Sequence, residues 1–241
     1  MDCSEGTNRM SSSSISVIVP ALNECESIGY VVASMPWSLI AECIVVDNGS
    51  TDGTDEVARR AGARVVYAPR GYGSACKAGS QAALPTSSIL VYLDGDGSDN
   101  VDELPRIVAP IEEDRADFVL GSRLRGHAQP GSMMGSQIFA AHLVGFLVRI
   151  LQGIRYTDMG AFRAIRRSSF EQLSMSETTY GWNIEMQIRA AQHKLRILEI
   201  PVNYRCRIAG VSKVSGDVIA SFIAAIRILG VVFRIGLSRR P

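Results

Sequence analysis

Short apolar runs and amphipathic stretches alternate along the first half of the chain. The run Ile15–Ala21 ("ISVIVPA") is brief, β-branched and apolar at nearly every position. That is the pattern of a strand covered on both faces, because only a strand with one wet face alternates apolar and polar residues. Helix-type spacing follows over Ser27–Met35, and Cys43–Asp47 ("CIVVD") is a second strand. The segment "STDGTDEVARRAG" carries Ser and Asp caps, early acids, late arginines and Gly62 at its end, which marks both termini of a helix. "RVVYA" predicts a third strand, followed by a Gly-rich turn and a helix to about Leu84. "ILVYLD" is a fourth strand, Asp102–Glu113 a helix, and "FVLGS" (Phe118–Ser122) a fifth strand. Such alternation predicts a doubly wound α/β sheet, whose ligands bind at the carboxyl ends of the strands. Asp47 and Asp94 both stand at such ends.

After Ser122 the pattern changes. "RLRGHAQPGSMMGSQ" reads as a mobile loop punctuated by Gly, Pro and Ser. A long apolar helix is expected over Gln137–Gln152. A strand over Phe162–Arg166, a helix over Trp182–His193, a strand over Leu195–Val202 and a final apolar stretch, Val218–Leu237, follow. Arg227 and Arg234 are seven residues apart in that last stretch, as His142 and Arg149 are in the earlier helix. At about 100° per residue each pair returns to one helix face. An apolar helix with a narrow basic stripe suits the membrane interface, and central arginines disfavour crossing it. The alternative is that both helices pack on the sheet or at a dimer interface. The opening residues 1–14 lack a basic segment followed by an apolar run and read as a disordered leader, not a secretory signal.

Composition adds limits. With 241 residues, 46% hydrophobic and 20% charged, the chain has ample material for one large core and lacks the signature of disorder. The net charge of +1 conceals an asymmetry. Residues 1–120 hold 8 basic against 18 acidic side chains, and residues 121–241 hold 17 against 6. The first half is suited to cations and the second to anions such as phosphates or acidic lipid, unless the halves simply neutralise each other. The five cysteines form no C-x-x-C pair, which predicts reduced, buried thiols in a cytosolic protein. No nucleic-acid partner is expected, and oligomeric state is open.

The chemistry concentrates in "LDGDGSD" (Leu93–Asp99), where Asp94, Asp96 and Asp99 fall within six positions. Like charges so close repel unless a cation or a set of donors compensates. A calcium-binding EF-hand loop is excluded: counted from Asp94 its Gly and Glu positions are Asp99 and Pro105, and counted from Asp96 they are Val101 and Ile107. A solvated turn and a divalent-metal site holding phosphates are the two readings left.

The segments "VIVPALNECESI", "VVDNGSTDGT", "RGYGSACKAG" and "LDGDGSD", in this order and spacing, resemble family 2 glycosyltransferases of the GT-A fold. "TDMGAFRAIRR", "YGWNIEMQIRA" and "VNYRCRIAGVSKVSG" are similar to the branch around dolichol- and polyprenyl-phosphate mannosyl- and glucosyltransferases. The resemblance covers about residues 15–216. It implies a GT-A α/β mixed sheet with a nucleotide-sugar half (15–122), an acceptor half (123–216) and a C-terminal amphipathic helix (217–241).

By that resemblance, Pro20, Ala21, Glu24 and Asp47 hold the nucleotide, unless Asp47 merely caps its turn. Gly73 and Lys77 lie where a helix N-terminus can take a phosphate, unless Lys77 simply faces solvent. Asp94 and Asp96, with Ser98 as a further ligand, hold Mg²⁺ or Mn²⁺ against the diphosphate, and the metal neutralises the leaving group. Arg207, Ser212 and Lys213 match an R-x-x-G-x-S-K pattern that closes over the phosphates. Arg123 matches an arginine near the acceptor phosphate, although a second basic residue expected soon after it is missing. Glu185 and Asp158 are candidates for a general base or for sugar binding, Glu185 being otherwise an ordinary charged helix position. The implied function is inverting transfer of a hexose from a UDP- or GDP-hexose to a polyprenyl phosphate. The enzyme is expected to be cytoplasmic and peripherally bound to the inner membrane face. Alternatives are a hydroxyl acceptor (a glycolipid or small metabolite), a sugar nucleotidyltransferase and a catalytically dead membrane adaptor.

Overall fold

The computed structural model describes residues 14–209 and 229–236. Among them, seven strands form one sheet: β1 (Ser14–Ala21), β2 (Glu42–Asp47), β3 (Arg64–Tyr67), β4 (Ser87–Tyr92), β5 (Phe118–Ser122), β6 (Arg163–Arg166) and β7 (Ile197–Pro201). Their order is β3-β2-β1-β4-β6-β5-β7. β6 runs antiparallel to β4 and β5, and the other pairings are parallel. The sheet is therefore mixed, as expected. β6, from the second half of the chain, lies between two strands of the first, so both halves share one sheet.

The helices are α1 (Ile28–Ala33), α2 (Thr54–Arg60), α3 (Tyr72–Ala82), α4 (Leu104–Glu112), α5 (Gly135–Gln152), α6 (Arg167–Gln172) and α7 (Trp182–Gln192). Alternation along β1 explains its unbroken apolar run. Val17 and Val19 enter a core with α1, α2 and α4, while Ile18 enters a second core with α3, α5 and α7. α2 carries the predicted charge pattern, with Asp55 and Glu56 in its first turn and Arg59 and Arg60 in its last. α6 was not legible in the sequence, and Ser14 belongs to β1, not to the leader.

Three expectations need correction. The segment expected as a mobile loop, up to the start of α5, is irregular but tied down. Gln129 N–H donates to Tyr204 O at 2.8 Å, Tyr204 N–H donates to His127 O at 3.0 Å, and Cys206 N–H donates to the Gln129 side chain at 3.0 Å. Of the cysteines, Cys43 and Cys76 are buried, but Cys25 is half-buried and Cys206 is exposed.

The last apolar stretch also departs from the membrane reading where it is described. Arg227 lies outside the described residues, whereas the helical turns at 229–236 pack on the domain. Val231, Val232 and Ile235 join the second core. Gln152 and Gln192 donate to Gly236 O and Ile235 O at 2.9 and 2.8 Å, and Arg234 pairs with Glu177 at 2.8 Å. Apolar contact and these three polar interactions hold the turns against the domain. α5 differs. Ala141, Val144 and Val148 are buried, but Phe139, Phe146 and Ile150 are 69, 58 and 64% exposed, with exposed His142 and Arg149 beside them. No described helix is long and apolar enough to cross a membrane.

Candidate active site

β2, β1 and β4 are parallel neighbours, so their carboxyl ends open on one crevice. Asp47 closes β2 and is buried. Its Oδ1 accepts Gly49 N–H at 3.1 Å and Ser50 N–H at 2.8 Å. The turn thereby fixes the side chain and leaves Oδ2 without a donor among the described residues. Pro20 and Glu24 are half-buried at the rim of the same crevice and Ala21 is buried below them. Ser27 Oγ donates to Gly95 O at 2.9 Å and joins this rim to the acidic loop.

The glycine-rich start of α3 is occupied. Gly73 N–H donates to Thr179 O at 3.2 Å, and Ser74 N–H to Thr178 O at 3.0 Å. A Cβ on Gly73 would stand 2.8 Å from the Thr178 carbonyl carbon, so glycine is required for the loop to approach. Backbone carbonyls of the 178–179 loop take the N–H groups expected to face a phosphate. Lys77 is solvent-exposed on α3.

Asp94, Asp96 and Asp99 project from the loop after β4. Asp96 Oδ1 accepts both the N–H and the hydroxyl of Ser98, at 2.9 and 2.5 Å. Ser98 is 2% exposed, and its hydroxyl orients Asp96. Asp96 Oδ2 faces Arg207 Nη2 at 3.2 Å. Asp99 Oδ2 accepts Asp94 N–H at 3.0 Å, while no described group donates to the Asp94 carboxylate. Burial first, then the charges of Asp99 and Asp96, push the Asp94 carboxyl well above the usual carboxylate range, against the pull of Arg123. Burial and Asp96 likewise push Asp99 up to about 6, although the Asp94 N–H opposes this.

Arg123, just past β5, is locked. Its Nε and Nη2 donate to Asp158 Oδ2 and Oδ1 at 2.8 and 2.7 Å, and its backbone N–H donates to Oδ2 at 2.8 Å. Its guanidinium lies 4.9 Å over the Tyr204 ring. Burial favours the neutral form, but bonding and charge from Asp158 outweigh it and hold Arg123 above the usual arginine range. Burial also opposes ionisation of Asp158, yet Arg123 keeps that carboxyl below its ordinary value. Nη1 of Arg123 stays uncommitted among the described residues. Asp158 is itself fixed, since Gln187 Nε2 donates to its carbonyl at 2.9 Å and Arg163, fully buried, donates to Gly160 O and Asn183 O.

Both candidate bases are engaged by donors within the fold. Asp158 is a 2% exposed partner of Arg123. Glu185 is 0% exposed and accepts Ser176 N–H and Oγ–H, Glu177 N–H and Arg189 Nε–H, the shortest at 2.7 Å. It anchors the loop that caps α3. Ser212 and Lys213 lie outside the described residues.

The segment after β7 lies over the loop that carries Asp94, Asp96 and Asp99. Tyr204 and Ile208 belong to a strap over the acidic loop: Arg205 N–H donates to Ser98 O at 2.9 Å and Ile208 N–H to Asp96 O at 3.0 Å. Isolated bridges join Tyr204 to Asp99 and to Ala128. The donor set fits a hard divalent cation. Asp94, Asp96, Asp99 and Asp158, when ionised, exceed Arg123 and Arg207 by two negative charges. No group of three or more His, Cys, Asp or Glu among the described residues encloses a metal by itself. Two carboxylates completed by phosphate oxygens and water is the arrangement Mg²⁺ prefers.

Residues 16–174 match the family described as glycosyl transferase family 2. A protein of Mycobacterium tuberculosis named an uncharacterized glycosyltransferase is 37% identical over 219 residues, 89% of this chain and 96% of its own. A polyprenol monophosphomannose synthase of Mycolicibacterium smegmatis is 30% identical over 237 residues, covering 92% of this chain and 89% of that protein. Glucosyl-3-phosphoglycerate synthase from M. tuberculosis, solved with Mn²⁺, UDP-glucose and phosphoglyceric acid, superposes with a TM-score of 0.75. It is 23% identical and the match covers 93% of this chain and 80% of that one, a likeness that establishes the shared GT-A fold.

Proposed function

This chain belongs to glycosyl transferase family 2, and from that premise we propose that it moves a hexose, with inversion, from a UDP- or GDP-hexose to a polyprenyl phosphate at a membrane surface. The observation that carries the acceptor is the engagement of Asp158 and Glu185. A hydroxyl acceptor must lose a proton to a positioned base. A phosphate monoester already carries about −1.5 to −2 near neutrality and needs none. Both carboxylates offered as that base are buried and consumed by donors.

Asp47 Oδ2, with Pro20, Ala21 and Glu24 around it, receives the base and ribose of the donor. Asp94 and Asp96 hold Mg²⁺ or Mn²⁺, which when bound supplies the charge that stabilises the leaving diphosphate. Arg123, immobilised by Asp158, offers Nη1 to the acceptor phosphate in a fixed position. The loop beginning at Arg123 leads into α5, whose exposed Phe139, Phe146 and Ile150 suit a peripheral contact with the acyl region, and whose Arg149 suits acidic headgroups. The name of the M. smegmatis relative supports a polyprenyl acceptor, and the UDP-glucose and Mn²⁺ of the solved neighbour support the donor and cation. A cytoplasmic, membrane-peripheral location follows from this reading. A hydroxyl acceptor is the second reading, favoured by the phosphoglyceric acid bound in the solved neighbour.

The test is nucleoside diphosphate release from UDP- and GDP-hexoses with Mn²⁺ or Mg²⁺, with and without a polyprenyl phosphate. Lipid-dependent release that vanishes in Asp96→Ala is the expected result and names the donor base. Release that lipid does not stimulate moves the acceptor to a hydroxyl compound. No release from any donor overturns the assignment.

A further inference from the structure

We propose that Arg207 is a placeholder for the donor's cation. In the donor-free protein it holds the metal-facing oxygen of Asp96, so that metal and nucleoside diphosphate load as a coupled pair. The inference rests on the donor-site reading above and concerns how that site is filled.

Asp96 has one oxygen to spare. Ser98 takes Oδ1 with two hydrogen bonds, and Arg207 Nη2 stands 3.2 Å from Oδ2. The guanidinium is not there by the accident of a long side chain. The chain on both sides of it is pinned by backbone bonds, two residues before by Arg205 N–H to Ser98 O and one after by Ile208 N–H to Asp96 O. Gly97 adopts φ +76° and lets the Ile208 side chain lie against it, where a Cβ would meet Ile208 Cγ1 at 2.8 Å. The strap thus places Arg207 over Asp96 through main-chain geometry. The Arg207 side chain is 31% exposed and Asp96 9%, so the pair is partly shielded from water and salt.

A divalent cation on Asp96 Oδ2 and a guanidinium on the same oxygen repel, and one must leave. A metal ion arriving alone must displace Arg207 and strand its charge. A diphosphate arriving with the metal supplies anionic oxygens that receive the displaced guanidinium. Each ligand therefore raises the affinity of the other, and by linkage the two effects are equal.

The test is Mn²⁺ binding to the full-length protein by titration calorimetry, alone and in the presence of UDP or GDP, for wild type, Arg207→Gln and Arg207→Lys. Circular dichroism and melting curves establish that each variant is folded. Arg207→Gln should bind Mn²⁺ alone on the order of tenfold more tightly than wild type, the size of a typical coupling between two sites. The enhancement by nucleotide should shrink by a similar factor. Arg207→Lys, which keeps the charge, should stay near wild type. A purely structural role for Arg207 would not raise metal affinity. Unchanged or weaker Mn²⁺ binding in Arg207→Gln overturns the placeholder while leaving the donor site in place. Absence of Mn²⁺ binding in folded wild-type protein, even with UDP or GDP, overturns the donor site and the placeholder with it.

Discussion

Replacing Glu185 by Gln separates an anchor from a catalyst. The wild-type carboxylate sits in the first turn of α7, fully buried, and accepts from Ser176 N–H, Ser176 Oγ–H, Glu177 N–H and Arg189 Nε–H. The amide keeps one acceptor oxygen and turns an NH₂ group toward donors of which only the Ser176 hydroxyl can also accept. It also leaves Arg189, 24% exposed, without its counter-charge. Removing one partner of a buried ion pair costs roughly 3–5 kcal/mol. Partial hydration of Arg189 reduces this to about 3 kcal/mol, the contribution of one or two hydrogen bonds to a charged group. For a chain of 241 residues that corresponds to a melting temperature lower by roughly 6–12 °C. Because no part of the carboxylate is exposed to substrate, kcat/KM measured well below both melts should stay within about threefold of wild type, far from the 10²–10⁴ contributed by a general base. The assay pairs a thermal melt with donor turnover. An unchanged melt together with a hundredfold loss of kcat would refute the anchor and restore Glu185 as a base. Ser176→Ala provides the control from the donor side. It should lower stability by about 1 kcal/mol and leave turnover intact.

Arg123→Lys loses both parallel bonds to Asp158 and the stack over Tyr204, since an ammonium cannot reproduce a planar fork. Lipid-dependent kcat/KM should fall on the order of a hundredfold, as on removal of one transition-state donor, and activity within threefold of wild type would contradict the assigned role. Phe146→Asp combined with Ile150→Asp changes only exposed positions of α5. It should leave the melt in place and weaken co-sedimentation with acidic-lipid vesicles by about tenfold or more, the worth of one buried aromatic or aliphatic side chain; equal sedimentation would count against α5 as the membrane face. Asp117 offers a pH test remote from the site. Bonds from Arg196 hold its carboxyl down to about 2. A depressed pKa contributes stability above the ordinary carboxylate value of about 4 that is lost as pH falls through about 2. Asp117→Asn should therefore cost about 1 kcal/mol at neutral pH, after screening at the half-exposed Arg196. The gap, read from denaturant midpoints, should close toward pH 2, and a gap independent of pH would refute the pairing.

Much of the fold was legible because its strands are covered on both faces. β1, β2 and β4 read as apolar runs, and α2 announced both ends through charge. What escaped depends on groups the sequence does not differentiate. The segment after Arg123 is rich in turn residues and looked free, but its ties are made largely by backbone N–H and carbonyl groups, to Tyr204 and its neighbours far along the chain. Every residue type carries those groups, so composition is silent about them. The final apolar stretch posed a related problem. Val231, Val232 and Ile235 would satisfy a bilayer or a protein core equally well, and periodicity reports only that a face is apolar, not what covers it. α6, six residues long, is too short to show a period at all.

The site divides along the same line. Residue types at strand ends pointed to the crevice, and Asp47, Asp94, Asp96 and Arg123 all stand there. The sequence could not show how many lone pairs and N–H groups the fold itself consumes. Gly73 has the context of a phosphate loop, but two carbonyls of the 177–179 loop take the donors. Glu185 and Asp158 have the chemistry of bases, but their donors are already supplied. Set against these, Asp94 keeps a whole carboxylate, Asp47 keeps Oδ2 and Arg123 keeps Nη1 uncommitted among the described residues. Asp96 has its last oxygen held by a displaceable arginine. A buried polar group left unpaired is costly, so groups that remain open at the end of a sheet require compensation from outside the chain. Unspent valence at a shared crevice, more than residue type, is what separates the proposed binding residues from their structural counterparts.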